Sequence, residues 1–459
     1  MVSKTPNGGG TGVGMCSNCG GRISVSHQAH GSSSPALSMS PSTGRADPFA
    51  SVDPSLRPGV DGLLQFGHTL WAASYHRDVL RISYGADPVL DVKDQLYYKG
   101  LILGMLREHV TEFTKEEWRD GVIMAILYLA VNETERRDLT RDPSPFTPPF
   151  TDMQSLSFYG SRDYHTMHWG VICNLINRLG GIHTVKLFAL GWLISLSDLM
   201  SAAHSLTKPL FPLVDVEGNV THSLPPLRAF PFPGDPSRVT KLGFRTLLSA
   251  RPPVKEGIVD VFLRLSVYST LIQGRYRQQL DPTDCDRFAD FRNSVHHALF
   301  GLPDEHDPVE AILDTCDSPF EDTFVSNELY LTCRLAAILY ATHVTFPIPR
   351  SSLLRAKILP LLTDKLNAIT KIVSSPLLLW CAAVAAIAAE GMSEYSLLTA
   401  HVKDLCHELK VTSYIRFLEI LQSFAWVEVA CCEGCYRLWE KLATTGVSEP
   451  LEISTADAV

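Results

Sequence analysis

The stretch from Pro376 to Ala389, PLLLWCAAVAAIAA, decides the fold because it carries no charged side chain from its first residue to its last. It is too short to cross a bilayer, which takes about 20 apolar residues. A helix that is apolar on every side has to be covered on every side. The sequence therefore predicts a buried central helix, with Trp380 inside the core.

Downstream of Gly391 the pattern becomes amphipathic. Apolar residues recur at spacings of three and four, which puts them on one face of a helix. They are Val411, Tyr414, Ile415, Leu418, Leu421 and Ala425. Two apolar stretches that each contain a tryptophan, 425–432 and 436–442, then close the segment. We expect the amphipathic face to pack on the rest of the chain.

Stripes of helical period also run through the chain upstream of this segment. They predict helices at 94–110, from a capping box at Thr114–Glu117 onward, and at 165–179, 184–206, 255–279, 284–299 and 327–342. Gly180 and Gly181 are expected to end the third of these helices with a left-handed cap. Residues 208–253 are rich in proline, so we expect a long excursion across the surface there. No strand-like alternation of any length appears, and the fold class is all-α, a helical array.

Composition divides the chain into three parts. Residues 1–60 are rich in Gly, Ser and Pro without apolar periodicity, which predicts a disordered tail. Residues 61–445 form the helical domain, and 446–459 a flexible C-terminus. The chain has 459 residues, 45% of them hydrophobic, and can bury a large core.

Charge and cysteine usage narrow the function. The formal net charge of −9 provides no overall basic field for nucleic acid, so any contact with DNA has to be local. Eleven scattered cysteines, with no secretory signal at the start, indicate reduced intracellular thiols. No nucleophile-elbow, zinc-protease or dinucleotide-binding motif occurs, and we expect no enzymatic activity.

Four segments, Leu378–Trp380, the long helix after it, Phe424–Val427 and Leu438–Trp439, together resemble the C-terminal end of the fungal-specific transcription factor domain. This domain is the regulatory region of fungal zinc-cluster transcription factors. The upstream order of apolar blocks is also similar: Tyr97-Tyr98 with Leu106-Arg107, Ile126-Leu127, the helix closing in Gly180-Gly181, and Leu193 to Asp198. The resemblance implies a helical array in the nucleus that transmits signals from a small-molecule effector or a partner. The partners it implies are a second copy in a homodimer and the transcription machinery.

Cys16-Ser17-Asn18-Cys19 places two thiolates two residues apart, a spacing that suits one tetrahedral metal ion. In zinc-cluster proteins six cysteines hold two zinc ions, and here the next cysteine is Cys173. The pair thus resembles at most two of six ligands, a remnant of the cluster. We expect no specific DNA binding by this chain alone, identify no DNA-binding residues, and expect zinc only if an upstream exon encodes an intact cluster.

The alternative from another class is an all-α enzyme of the terpenoid-synthase type. Asp281, Asp284, Asp286 and Asp290 lie close together, and carboxylates can hold Mg²⁺ for a diphosphate substrate. Pro282-Thr283 instead favours a turn and a solvated helix start. A third hypothesis is an interaction module that keeps the fold without transcriptional activity.

Histidine and cysteine groups offer further metal ligands. His165 and His168 are three apart on a predicted helix, and His401, Cys406 and His407 cluster later. Neither group supplies a third or fourth ligand, so partly buried, hydrogen-bonded histidines are favoured. Cys431, Cys432 and Cys435 are expected to pack as small hydrophobes.

Overall fold

The computed structural model describes residues 13–15, 22–24, 99–132, 141–221, 242–276, 282–314 and 319–444, apart from residues 101, 109, 162 and 163. Almost all of the described chain is helical or connects helices, which confirms the all-α class. The helices are α1 (102–108), α2 (Glu116–Asn132), α3 (Leu156–Tyr159), α4 (Thr166–Arg178), α5 (Leu190–Ser205), α6 (Glu256–Arg275), α7 (Pro282–Phe300), α8 (Val309–Ile312), α9 (Phe320–Tyr340), α10 (Ser352–Ile369), α11 (Pro376–Ala388), α12 (Tyr395–Glu408), α13 (Tyr414–Gln422) and α14 (Glu428–Thr444).

Helix α11 is the centre of the larger of two hydrophobic cores. It begins where Ser375 accepts a hydrogen bond from the Leu378 amide at 3.3 Å, with Pro376 in the first turn. Every residue from Leu377 to Ala388 is buried. Helices α9, α10, α12, α13 and α14 pack against it. The prediction of a buried central helix is confirmed, and so is the burial of Trp380.

A smaller core forms from α1, α2, α4 and the first half of α5. Helix α2 contributes an unbroken buried run from Val122 to Val131. Trp192 on α5 packs against both cores. Helix α5 therefore connects the two packed regions.

The surface excursion expected at 208–253 is wrong at four buried residues of its described parts, Phe211, Val214, Phe244 and Leu247. Phe244 and Leu247, in a 3₁₀ segment from Gly243 to Ser249, are fully buried in the larger core. The Phe244 ring lies 5.2 Å from the rings of both Trp380 and Phe424. The Gly243 amide donates to the Ser423 carbonyl at 3.0 Å, and a Cβ on Gly243 would come within 2.6 Å of the Phe424 ring. Residues 242–251 contain no proline, so the prolines on either side do not prevent this short apolar segment from inserting into the core.

Of two predicted helix boundaries, one differs from the structure and one agrees with it. The helix expected from residue 184 begins only at Leu190, because the Asp120 carboxylate accepts the amides of Lys186 and Leu187 at 2.8 and 2.6 Å and holds that stretch outside the helix. At the end of α4, Gly180 and Gly181 have φ of 94° and 128°. The predicted left-handed ending of that helix is thus confirmed.

The face assigned to the amphipathic C-terminal helix is confirmed except at Ile415. Among its other members, Val411, Leu421 and Ala425 are buried, and Tyr414 and Leu418 pack against the core. The segment forms two helices, α12 and α13, and α13 begins after Ser413, whose hydroxyl accepts from the Arg416 amide. The buried residues of α13 are Phe417, Ile420 and Leu421, while Ile415 is 71% exposed. Because α13 begins after Ser413, Phe417, Ile420 and Leu421 are the residues of this helix that face the core.

Most of the predicted N-terminal tail and all of 446–459 lie outside the described residues. Within the tail, Val13–Met15 and Arg22–Ser24 pair as short antiparallel strands, a local element that the prediction did not include. None of the helices described here is both long and apolar enough to span a bilayer.

Candidate functional site

A group of polar side chains is buried in the larger core, where α7 passes beneath a π-helical turn at Ala341–Thr345. The buried stripe of α7 has apolar residues at Phe288, Phe291, Val295 and Leu299. Arg292 and His296 fall on this same face because they are one turn apart and next to Phe291 and Val295. The helix period therefore carries a cation and an imidazole into the core. π-Helical turns are frequent at functional sites.

The Arg292 guanidinium is held by neutral acceptors. Its Nη1 donates to the Met153 carbonyl at 3.1 Å, and its Nε and Nη2 donate to Asn293 Oδ1 at 3.1 and 3.0 Å. Nη2 also donates to Gln154 Oε1 at 3.3 Å. The Phe346 ring centroid lies 5.2 Å from Cζ, within the range of a cation–π contact. Neutral acceptors satisfy the geometry of the guanidinium without neutralising it.

Gln154 adopts an unusual backbone conformation to reach this site. Its φ and ψ are 51° and 41°, a left-handed conformation that costs a non-glycine residue roughly 1 kcal/mol or more. From there its side chain accepts from Asn293 Nδ2 at 2.8 Å and donates to Asp290 Oδ1 at 3.1 Å. Strain of this kind persists only where the surroundings hold it in place.

No carboxylate forms an ion pair with Arg292 in the described part of the chain. Burial lowers the pKa of Arg292, and the charges of Tyr268 and the exposed Asp290 oppose this shift. An arginine nevertheless stays charged. A buried charge without a counter-ion costs several kcal/mol after the protein relaxes. The site is thus a fixed positive charge, kept at a cost to stability.

Two further groups complete this polar layer. His296 Nδ1 lies 2.6 Å from the Arg292 carbonyl, which can only accept, so Nδ1 carries the proton and Nε2 accepts from the Thr345 hydroxyl at 2.8 Å. Burial lowers the pKa of His296 to about 3, which keeps the ring neutral. Tyr268 is fully buried, and no described residue pairs with its hydroxyl.

A second buried histidine, His343, joins the π-helical turn to Ser144. Ser144 Oγ accepts from the Phe146 amide at 3.2 Å and forms a second hydrogen bond with His343 Nδ1 at 2.9 Å. Burial lowers the pKa of His343 to about 3. A serine nucleophile also needs a carboxylate that orients the histidine. Here the nearby Asp142 instead accepts the Ser352 amide at 3.0 Å. The pair anchors the segment and does not form a catalytic triad.

Asp198, on α5, is another buried titratable group. Its Oδ2 accepts from the amides of Leu210 and Phe211 at 2.6 and 2.9 Å. Burial nevertheless raises the pKa of Asp198 to about 6, because desolvation outweighs the two hydrogen bonds. The carboxylate holds the loop that follows α5.

Several of the residues predicted as metal ligands lie outside the part of the chain that the structure describes. Cys16, Cys19 and Asp281 lie outside the described residues, as does the side chain of Asp284. Helix α7 begins at Pro282, two residues before the predicted start, so Pro282 and Thr283 belong to its first turn and not to a preceding turn. Among the described residues there is no group of three or more histidine, cysteine or acidic side chains that could hold a metal ion.

The two predicted histidine groups differ from each other in their hydrogen bonding. The rings of His165 and His168 lie 4.6 Å apart, and His165 Nδ1 is buried without a hydrogen-bond partner among the described residues. The expected hydrogen bond is therefore missing at His165 Nδ1 among the described residues. His401 is hydrogen-bonded as expected, 2.7 Å from Asn367 Oδ1 and 3.4 Å from Thr370 Oγ1. Its predicted neighbour His407 is exposed.

The cysteines behave mostly as expected. Cys406, Cys431 and Cys435 are buried, whereas Cys432 is exposed. Burial raises the pKa of both Cys406 and Cys435 to about 12, so both thiols stay protonated and unreactive. They pack as small hydrophobes.

Arg292, His296, His343 and Tyr268 were not predicted as site residues from the sequence. The available signal was the stripe of α7, in which the positions next to Phe291 and Val295 are polar but share the apolar face. Similarity to known proteins adds nothing further: no family model matches the chain, and neither a curated protein nor a solved structure is similar to it.

Proposed function

We propose that the chain is a transcription regulator-like protein, whose helical part acts as a regulatory or effector domain of the kind found in fungal zinc-cluster transcription factors. One observation supports this most directly: the separate sequence segments that carry the resemblance pack on one another. Trp380 Nε1 donates to the Ala425 carbonyl at 3.0 Å, and the Phe417 and Trp439 rings lie 5.3 Å apart. A resemblance due to chance would not require these segments to meet.

The polar layer around Arg292 is the part of the core that we assign to effector response. Arg292 forms no ion pair with a described carboxylate, so a small anionic effector could form one with it. The partnerless Tyr268 hydroxyl provides a donor in the same layer. The π-helical turn above this layer belongs to the connection between α9 and α10, so a change there would move both helices.

The enzyme alternative has less support. Asp290, one of the four aspartates on which it depends, accepts from Gln154 Nε2 at 3.1 Å and so takes part in holding the Arg292 layer. A Mg²⁺ site of the terpenoid-synthase type needs carboxylates that converge on a metal. An interaction module would have the same fold as the proposed regulator but would have no transcriptional activity.

A tethering assay tests the proposal. The full chain is fused to a bacterial repressor's DNA-binding domain, and a yeast reporter carrying the matching operator is measured. We expect reporter output to change severalfold relative to the repressor domain alone. An unchanged reporter would contradict transcriptional activity, and Mg²⁺-dependent turnover of an isoprenoid diphosphate that Asp290→Asn abolishes would favour the enzyme.

A second assay tests the expected lack of autonomous DNA binding. Labelled duplex DNA is titrated with the full chain at about 50 and 200 mM salt, the range over which phosphate contacts show themselves, and zinc is measured by elemental analysis. We expect neither stoichiometric zinc nor sequence preference. Two zinc ions per chain would show that other residues complete a cluster with Cys16 and Cys19.

A further inference from the structure

The segment from residue 304 to residue 328 holds the chain's charge imbalance. It contains no Lys or Arg and nine acidic residues: Asp304, Glu305, Asp307, Glu310, Asp314, Asp317, Glu321, Asp322 and Glu328. Taking these nine from the 49 acidic residues leaves 40, which balance the 40 Lys and Arg. The whole excess of −9 therefore lies in one stretch, which we call the acidic segment.

The described parts of the acidic segment, 304–314 and 319–328, lie beside and within the first half of α9. The Tyr330 hydroxyl of α9 donates to the Pro303 carbonyl at 2.6 Å, which fixes the start of the segment beside the helix. Lysines pair with some of its acids: Lys208 with Asp304 and Asp307, and Lys365 with Glu328 at 3.1 Å. Glu321 and Asp322 are exposed, and no described residue forms an ion pair with either.

Two phenylalanines interrupt this acidic surface. Phe320 is 84% exposed and Phe324 is 43% exposed. They are four residues apart on α9, so their rings lie on the same side of the helix, one turn apart. Burying two such rings would remove a large apolar area from water. Ile372, also exposed, follows α10 at the same end of the α9–α10 hairpin, because the Lys365–Glu328 pair sets the two helices side by side.

We propose that Phe320 and Phe324, with Glu321 and Asp322 beside them, form a docking surface for another protein, one that presents an apolar groove rimmed by Lys and Arg. The two rings would enter the groove as anchors at i and i+4 of an exposed helix. The carboxylates of Glu321 and Asp322 would face the basic rim and increase the rate of association. A second copy of the chain fits less well, because its own acidic segment would repel this one.

This inference rests on the proposed function, since acidic and hydrophobic residues in alternation are typical of segments that activate transcription. The partner would then be a component of the transcription machinery with a basic, apolar groove. Unlike the disordered segments in which this pattern is usual, the surface here is built on an ordered helix. No folding cost then accompanies binding.

The test uses the full-chain fusion and the reporter described above, with three variants. Phe320→Ala/Phe324→Ala removes the anchors, and Glu321→Lys/Asp322→Lys reverses the charge between them. Leu353→Ala/Ile415→Ala is the matched control, because it removes two side chains that are 68% and 71% exposed on other surfaces. We expect the anchor variant to lower reporter output roughly tenfold or more, as for aromatic hot spots, and the control to stay within about twofold. The charge reversal should lower output severalfold.

The outcomes separate the two proposals. If the parent fusion activates the reporter and the anchor variant activates it equally, the docking surface is wrong and the regulatory function stands. If the parent fusion leaves the reporter unchanged, the regulatory function is wrong and the inference that rests on it is withdrawn.

Measurements on the purified full chain test other occupants of the surface. The anchor variant should keep the thermal midpoint of the parent within about 2 °C, as an exposed substitution does. A larger fall would show that the chain itself covers the rings. A change from dimer to monomer in sedimentation would show that a second copy covers them. Either result would overturn the proposal of a foreign partner.

Discussion

Helices α11 and α7 are both buried in the same core, but they reach that state in different ways. Helix α11 is apolar on every side, and the Trp380 indole donates across the core to the Ala425 carbonyl. Helix α7 brings Arg292 and His296 into the core along with its apolar stripe. The first arrangement gains stability from every contact. The second carries the desolvation cost of a charge that forms no ion pair with an acid in the described part of the chain. We infer that α11 stabilises the fold, and that the buried polar residues of α7 have a role other than stability.

The comparison predicts its largest effect at Trp380. Trp380→Ala should lower the free energy of unfolding by about 3 to 5 kcal/mol, because it opens a cavity between Phe244 and Phe424 and removes the donor to the Ala425 carbonyl. Urea denaturation followed by circular dichroism measures it. Trp380→Phe is the control: it keeps most of the volume and should cost less. Unchanged stability in the alanine variant would mean that α11 does not organise the core.

The same denaturation experiment applied to Arg292 sharpens the contrast. Arg292→Met keeps the length of the side chain but leaves Asn293 Oδ1 without its donor. It also removes one of two donors from both the Met153 carbonyl and Gln154 Oε1, so we expect a loss of about 1 to 3 kcal/mol. The gain from removing a desolvated charge holds the loss below that at Trp380. As a control, Arg264→Met breaks the Arg264–Asp260 pair within one helix and should cost under about 1 kcal/mol. A methionine variant more stable than the parent would show that the arginine is kept entirely for a purpose other than stability.

Asp198 extends the comparison to a buried acid. Because its pKa is raised to about 6, the folded state binds a proton more tightly than the unfolded state, and the free energy of unfolding should rise by about 1 kcal/mol as pH falls from 7 to 5. Asp198→Asn keeps an acceptor for the Leu210 and Phe211 amides but cannot titrate, so the difference between variant and parent isolates this contribution. If the two pH profiles ran parallel, Asp198 would not be the group responsible.

The contrast between α11 and α7 also separates what could be predicted from the sequence from what could not. The buried state of α11 was predictable because periodicity and composition both point to it. The burial of Phe244 was not, since proline-rich flanks conceal an insertion that depends on Gly243 approaching Ser423. The Arg292 layer was not either, because its acceptors, Met153 and Gln154, are distant in sequence and lie on a strained turn. Local patterns identify helices, whereas long-range polar contacts depend on how the helices assemble.

The smallest expected effect compares two buried tyrosines. The Tyr340 hydroxyl donates to Ser269 Oγ at 3.1 Å, whereas no described residue pairs with the Tyr268 hydroxyl, and both rings are fully buried. Tyr340→Phe should cost about 1 kcal/mol, because it breaks a satisfied hydrogen bond. Tyr268→Phe should instead leave stability unchanged or raise it by up to about 1 kcal/mol, because it removes a desolvated hydroxyl that gains nothing in return. Paired urea denaturations decide the sign. If both variants lost the same amount, the Tyr268 hydroxyl would have a partner of its own, and the Arg292 layer would be a satisfied structural network rather than the place where an anionic effector pairs.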